Sequence, residues 1–330
     1  MKHLEEWFGR GPASISKGAT VSLQNITLNI ACLPIVFVNV YFVGEPGGPW
    51  ILVDSGLPGF AGRILKGATQ RFGDRAPTAI FLTHGHFDHA SAARTLAEEW
   101  DVPIYAHALE MPYLTGRSAY PPPDPTVGGC WPHVGGCLSQ MSRTMPHSAL
   151  DLGPRLQTLP EGGELPGAEG WRWVHTPGHS PGHVSMWNEE SRALLAGDAV
   201  ATANLDSCLG AATMRPKLWR AGTPFNYDWN ATRHSVRQLA ALRPETLACG
   251  HGQPFSGPNV ATEFAQFATS FPMPSQGRYV SEPAVADESG VAQLPSAPPD
   301  PVRSVALSAV SIGVTFYFLR RLLSMRSVSA

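Results

Sequence analysis

The chain has 330 residues, enough for one large domain or two small ones, and its 43% hydrophobic content can support a buried core. A formal net charge of −2 supplies no long-range positive field, so nucleic acid is not expected as a partner. The five cysteines (Cys32, Cys130, Cys137, Cys208, Cys249) are too scattered for a disulfide scaffold, which leaves reduced thiols and a cytoplasmic protein as the expectation.

The N-terminal MKHLEEWFGRG carries acidic residues and no apolar stretch, so no secretory signal is expected there. Residues 20–55 then alternate as strands do: Val21, Leu23, Ile26 and Leu28, followed by the apolar run Ile35–Val43 and by Trp50–Val53. Glu45-Pro46-Gly47-Gly48-Pro49 is turn chemistry that makes the last two a hairpin. A helical pattern covers Gly59–Phe72, a short strand Ala79–Leu82, a helix Ala90–Trp100 and a strand Val102–Tyr105.

Regularity stops between Tyr113 and His147, where Pro121-Pro122-Pro123 and two Gly-Gly pairs predict a long loop of the kind that serves as a lid. Strands are predicted at Leu156–Leu159, Trp171–His175, His183–Trp187, Ala193–Ala196 and Thr246–Ala248, and helices at Asn230–Leu242 and Pro258–Thr269. Strand–helix alternation with hairpins in both halves predicts an α/β fold, a four-layer αββα sandwich over about residues 15–272 within a domain of residues 1–280. Residues 281–303, rich in Pro, Ala, Ser, Asp and Glu, read as a flexible linker. Residues 304–330 read as an apolar C-terminal helix with a basic end. Its uninterrupted apolar run, Val305–Leu319, is shorter than the ~20 residues a spanning helix needs. The expectation for residues 304–323 is contact with a membrane, with docking of that helix on protein as the alternative.

Chemistry concentrates at His84-Gly85-His86-Phe87-Asp88-His89, directly after a short strand. Three imidazoles and a carboxylate so close together suit zinc, iron or manganese. Later strand ends carry His179 in His175-Thr176-Pro177-Gly178-His179-Ser180-Pro181-Gly182-His183, Asp198 in Ala196-Gly197-Asp198 and His251 in Cys249-Gly250-His251-Gly252. Cys130 and Cys137 could pair or bind a metal, although structural zinc sites use a tighter first pair.

The order HxHxDH, TPGHSPGH, GD and GHG, with Val53-Asp54-Ser55-Gly56 upstream, resembles the metallo-β-lactamase superfamily over about residues 30–255. That resemblance implies the αββα sandwich and two metal ions, zinc first, with iron or manganese as other options. One metal would be held by His84, His86 and His179 and a second by Asp88, His89 and His251, with Asp198 bridging both. Asp54 would orient ligands through hydrogen bonds. His183 would serve strand packing or the same orienting role.

A hydroxide shared by two metals would attack a polarised carbonyl or phosphoryl centre without a Ser or Cys nucleophile. Asp88 is a candidate proton shuttle, in competition with its ligand role. Loops set the substrate. Tyr113, Tyr120, Trp131 and Met141 on one loop, and Trp219–Trp229 with Phe225 and Tyr227 on another, are candidate walls. Of these, Tyr113, Trp131 and Tyr227 are the substrate-binding candidates. Neither loop is strongly basic, which favours a neutral small-molecule ester, lactone or thioester over a polyanion. The competing classes are a mononuclear iron enzyme similar to persulfide dioxygenases and a module whose metals only hold the fold. A full second set in Asp88, His89 and His251 argues against the former, and the lack of thiolate ligands against the latter.

Overall fold

The computed structural model describes residues 21–128, 139, 142, 145 and 147–300. Seven strands form one sheet in the order of the chain: β1 (Gln24–Asn25), β2 (Ile30–Ile35), β3 (Val38–Val43), β4 (Ile51–Val53), β5 (Ile80–Phe81), β6 (Ile104–Ala106) and β7 (Leu156–Thr158). β1 to β4 are antiparallel hairpin neighbours, and β4 to β7 run parallel. The second sheet contains β8 (Trp171–His175), β9 (Val184–Asn188), β10 (Ala193–Gly197), β13 (Thr246–Cys249) and β14 (Phe255–Ser256), in the order β14-β13-β10-β9-β8. Between them in sequence, β11 (Ala201–Ala203) pairs with β12 (Pro216–Trp219) as a small separate ribbon.

Burial on both faces of these strands explains the four layers. On one face of the first sheet, Ile30, Cys32, Tyr41, Val43 and Val53 meet Val184, Met186, Leu195 and Ala248 of the second sheet. On its other face, Ala31, Leu33, Val40, Phe42 and Leu52 pack under the Ala61–Phe72 and Ala93–Trp100 helices through Ile64, Ala68, Leu96 and Ala97. The outer face of the second sheet, with Trp187, Leu194 and Leu247, receives Trp229, Val236, Leu239 and Phe264 from the Trp229–Ala241 and Val260–Thr269 helices. Period-two alternation between two apolar environments is the αββα sandwich.

Two expectations are corrected. Ile35–Val43 is not one strand: the chain turns at Val36, which has φ 60° and is exposed, so the run divides between β2 and β3. The segment expected as a linker over 281–303 contains a hairpin within its described part, residues 281–300. Asp287 accepts from both the backbone N–H and the hydroxyl of Ser289, and this turn joins β15 (Val285–Asp287) to β16 (Gly290–Gln293). The hairpin is tied to the body where Val291 N–H donates to Ser118 Oγ and Ala284 N–H donates to the Tyr227 carbonyl. Among the described residues no helix is long and apolar enough to cross a membrane. The C-terminal helix expected over 304–330 and the Cys130–Cys137 pair lie outside the described residues.

Candidate metal centre

The parallel pairs β4/β5 and β10/β13 bring their carboxyl ends to one rim of the sandwich, where open α/β sheets commonly bind ligands. Asp54 follows β4, the His84–His89 run follows β5, Asp198 follows β10 and His251 follows β13. His179 arrives on the loop between β8 and β9. Backbone hydrogen bonds lock the two sheets together at this rim: Val184 N–H to Thr83 O at 2.9 Å and Asn39 N–H to Gly250 O at 2.8 Å.

All seven expected ligand side chains converge there, and all are buried. Their ligand atoms fall into three overlapping groups that could hold metal: His84, His86 and His179; His84, His89 and Asp198; and Asp88, His89 and His251. Asp198 stands between the outer two. Its Oδ2 is 3.6 Å from His179 Nε2 and 3.1 Å from His251 Nε2, and its Oδ1 is 3.6 Å from His89 Nε2. Asp88 Oδ2 lies 3.5 Å from His251 Nε2 and 3.8 Å from His89 Nε2.

The donor set fits a divalent cation. His84 Nε2, His89 Nε2 and Asp198 Oδ1 are buried without a hydrogen-bond partner, a costly state for polar atoms unless an ion completes them. The opposite ring nitrogens are engaged from behind. His84 Nδ1 is 3.0 Å from Thr83 Oγ1, His89 Nδ1 is 2.8 Å from Asp54 Oδ2, His179 Nδ1 is 2.7 Å from Asn226 Oδ1 and His251 Nδ1 is 2.8 Å from Phe37 O. Such partners fix the tautomer and aim the free nitrogen inward. His86 differs by presenting Nδ1, 2.8 Å from His179 Nε2.

Charge divides the cluster. Burial holds His84 well below the ordinary histidine range, and neighbouring imidazoles press the same way. Burial also opposes charge on His89, but Asp198, Asp54 and Asp88 outweigh it and push this ring up to about 10. For Asp198 burial works upward, yet His251, His89 and His179 keep the carboxyl well below its usual range. His183 stands behind the cluster: Asp198 N–H donates to its Nε2 at 2.9 Å, while its Nδ1 reaches Thr176 O and Oγ1. Burial lowers it to about 3, which matches a neutral ring accepting on one side and donating on the other.

A model of the metallo-β-lactamase superfamily matches residues 33–251. The chain belongs to that superfamily. A probable metallo-hydrolase of Bacillus subtilis, YflN, is 38% identical over 239 residues, covering 72% of this chain and 88% of that protein. A second from the same organism, YybB, is 29% identical over 216 residues, covering 66% and 81%. Among solved structures, a B3 metallo-β-lactamase with an active site glutamic acid shares the fold at a TM-score of 0.52 and 18% identity, covering 76% of this chain and 89% of that one. With the buried His/Asp cluster, this membership makes the chain a metal-dependent hydrolase.

The cavity over the cluster, about 450 Å³ including its open mouth, is walled by Phe37, Phe87, Met145, Leu205 and Phe225. Tyr113 and Tyr227 do not line it. Tyr113 is fully buried, stacked at 4.0 Å on Tyr120, and Tyr227 packs against the outer core of the second sheet. Trp131 and Met141 lie outside the described residues. Asn226 was expected only as loop wall, yet it is the partner of His179, and Thr83 and Phe37 were not singled out at all. Thr83 could have been noticed, since a hydroxyl directly before a ligating His has its ring nitrogen within reach.

Proposed function

We propose that this hydrolase cleaves an uncharged ester, lactone or thioester of a small molecule, using two divalent cations, zinc in the first instance. The supporting observation is the wall of the cavity: Phe37, Phe87, Met145, Leu205 and Phe225 surround the His/Asp cluster, and no Lys or Arg lines it among the described residues. Such a wall accommodates an apolar acyl or alcohol group and offers no anchor for a carboxylate or phosphate.

His84, His86 and His179 would hold one cation and Asp88, His89 and His251 the other, with Asp198 touching both. When bound, cations so placed polarise a carbonyl and bring the pKa of water toward ~7. The chain's own contribution is positional. Asp54, Asn226, Thr83 and the Phe37 carbonyl keep four rings aimed inward, and the apolar wall surrounds the reacting centre. Asp88 both faces the cavity and stands beside His251, so its carboxylate can carry a proton towards a leaving group.

The test is a panel of neutral and anionic esters, lactones and thioesters, with metal content measured on protein purified without added zinc. Turnover of neutral members that vanishes on chelation and returns with Zn²⁺ is expected. Turnover confined to anionic members, or tight stoichiometric metal with no turnover, would overturn the reading.

A further inference from the structure

Glu110 is a fully buried carboxylate between the two loops that deliver His86 and His179. Four donors converge on it. Ser180 Oγ and Gly182 N–H donate to Oε1 at 2.6 and 2.8 Å; Gly85 N–H donates to Oε2 at 2.9 Å, and the Tyr120 hydroxyl donates to the same oxygen. Burial pushes its pKa above the ordinary carboxylate range, and these four hydrogen bonds pull it back toward the ionised form. Hydrogen bonds from several groups to one ionised carboxylate are about twice as strong as neutral ones, and losing part of such a buried set is costly.

The neighbours are shaped around this carboxylate. A Cβ on Gly85 would lie 2.5 Å from the Tyr120 hydroxyl, and one on Gly182 would lie 2.8 Å from Glu110 Cγ. Gly85 and Gly182 are therefore required by the approach of Tyr120 and Glu110. Gly85 immediately precedes His86, Ser180 immediately follows His179, and the two rings meet at 2.8 Å. The Tyr120 ring also lies against His86, with centroids 4.4 Å apart.

We propose that Glu110 is a positioning residue for the metal held by His84, His86 and His179: its ionised carboxylate clasps the two ligand loops at a fixed separation. The proposal rests on the metal-binding reading above. Glutamine replaces it poorly. An amide NH₂ at Oε1 confronts the Gly182 N–H, and at Oε2 it confronts the Gly85 N–H, which then keeps the Tyr120 hydroxyl, 2.9 Å away, as its acceptor.

Zn²⁺ affinity by competition with a chromophoric chelator and the visible spectrum of the Co²⁺-loaded full chain test this in wild type, Glu110→Gln, Ser180→Ala and Tyr120→Phe. Thermal unfolding of the metal-free forms is recorded alongside. Glu110→Gln should weaken Zn²⁺ by about 10–100-fold and alter the Co²⁺ spectrum, with smaller losses in the other two. Unchanged affinity and spectrum in Glu110→Gln, beside a wild type that binds both metals, would overturn the proposal even if the variant melts earlier. If Glu110→Gln does not fold, unchanged Zn²⁺ affinity in both Ser180→Ala and Tyr120→Phe overturns it. A wild type that takes neither metal overturns the metal-hydrolase reading and this proposal with it.

Discussion

Asp54 Oδ2 lies 2.8 Å from His89 Nδ1, both side chains buried, while His89 Nε2 faces the cluster without a hydrogen-bond partner. Asp54 also accepts from the backbone N–H of Thr83 at 2.8 Å, so one carboxylate sets both the His89 ring and the residue before His84. Its backbone has φ 60°, a left-handed conformation that Asn adopts at less cost than Ala. Asp54→Asn should lower metal affinity ~10–100-fold with little change in fold. Asp54→Ala should lose the same affinity and about 1–2 kcal/mol of stability besides. Chelator competition and urea unfolding of the two variants separate the effects, and an unaltered metal affinity in both would remove Asp54 from the site.

His86→Ala and Asp198→Ala should abolish hydrolysis while the fold persists. Both side chains stand at the rim of the sheets and outside the three apolar clusters that hold the layers together. Loss of Asp198 also removes the carboxylate that lies within 3.6 Å of three imidazoles, so this variant should lose metal more completely than His86→Ala. Circular dichroism, metal analysis and turnover decide the point; wild-type rates in either variant would dismiss the assignment.

The metal cluster was legible because its members sit at strand ends in short, ligand-dense runs, and their sequence context needs no knowledge of distant packing. The features that were not legible depend on such packing. The break in Ile35–Val43 occurs at a β-branched residue with positive φ and no Gly or Asn to announce it. The hairpin of β15 and β16 is held by Ser118 and Tyr227, far away in sequence, so composition alone read it as a linker. Tyr113 and Tyr227 looked like wall residues because they are aromatic and lie in irregular segments, but both turned to the core. Glu110 left one trace: a lone acid in the apolar run Ala108-Leu109-Glu110-Met111-Pro112-Tyr113.

Leu205 lines the cavity without contributing to the His/Asp groups. Leu205→Ala should therefore alter specificity alone. Removing apolar contact in a pocket costs discrimination of about 10-fold in kcat/KM for acyl groups that reach it, and nothing for an acetyl group too short to do so. Metal content should stay as in wild type. Equal losses for short and long acyl esters would mean that Leu205 does not meet the substrate.

His107 offers a pH test away from the cluster. It stacks on His175 with centroids 4.4 Å apart, and its Nδ1 accepts from the Leu109 N–H at 3.2 Å, which requires an unprotonated nitrogen. Burial first, and then the neighbouring His175, lower it to about 4. In the unfolded chain it titrates near its ordinary value of about 6.5. Between these values the unfolded state binds more protons than the folded one, so stability from this group is fully present above pH 6.5 and is lost as pH falls toward 4. His107→Asn keeps an acceptor for Leu109 and removes the titration. The urea midpoint of wild type should drop between pH 7 and pH 4.5 by more than that of the variant. Equal drops in the two proteins would show that protonation of His107 carries no part of the acid destabilisation.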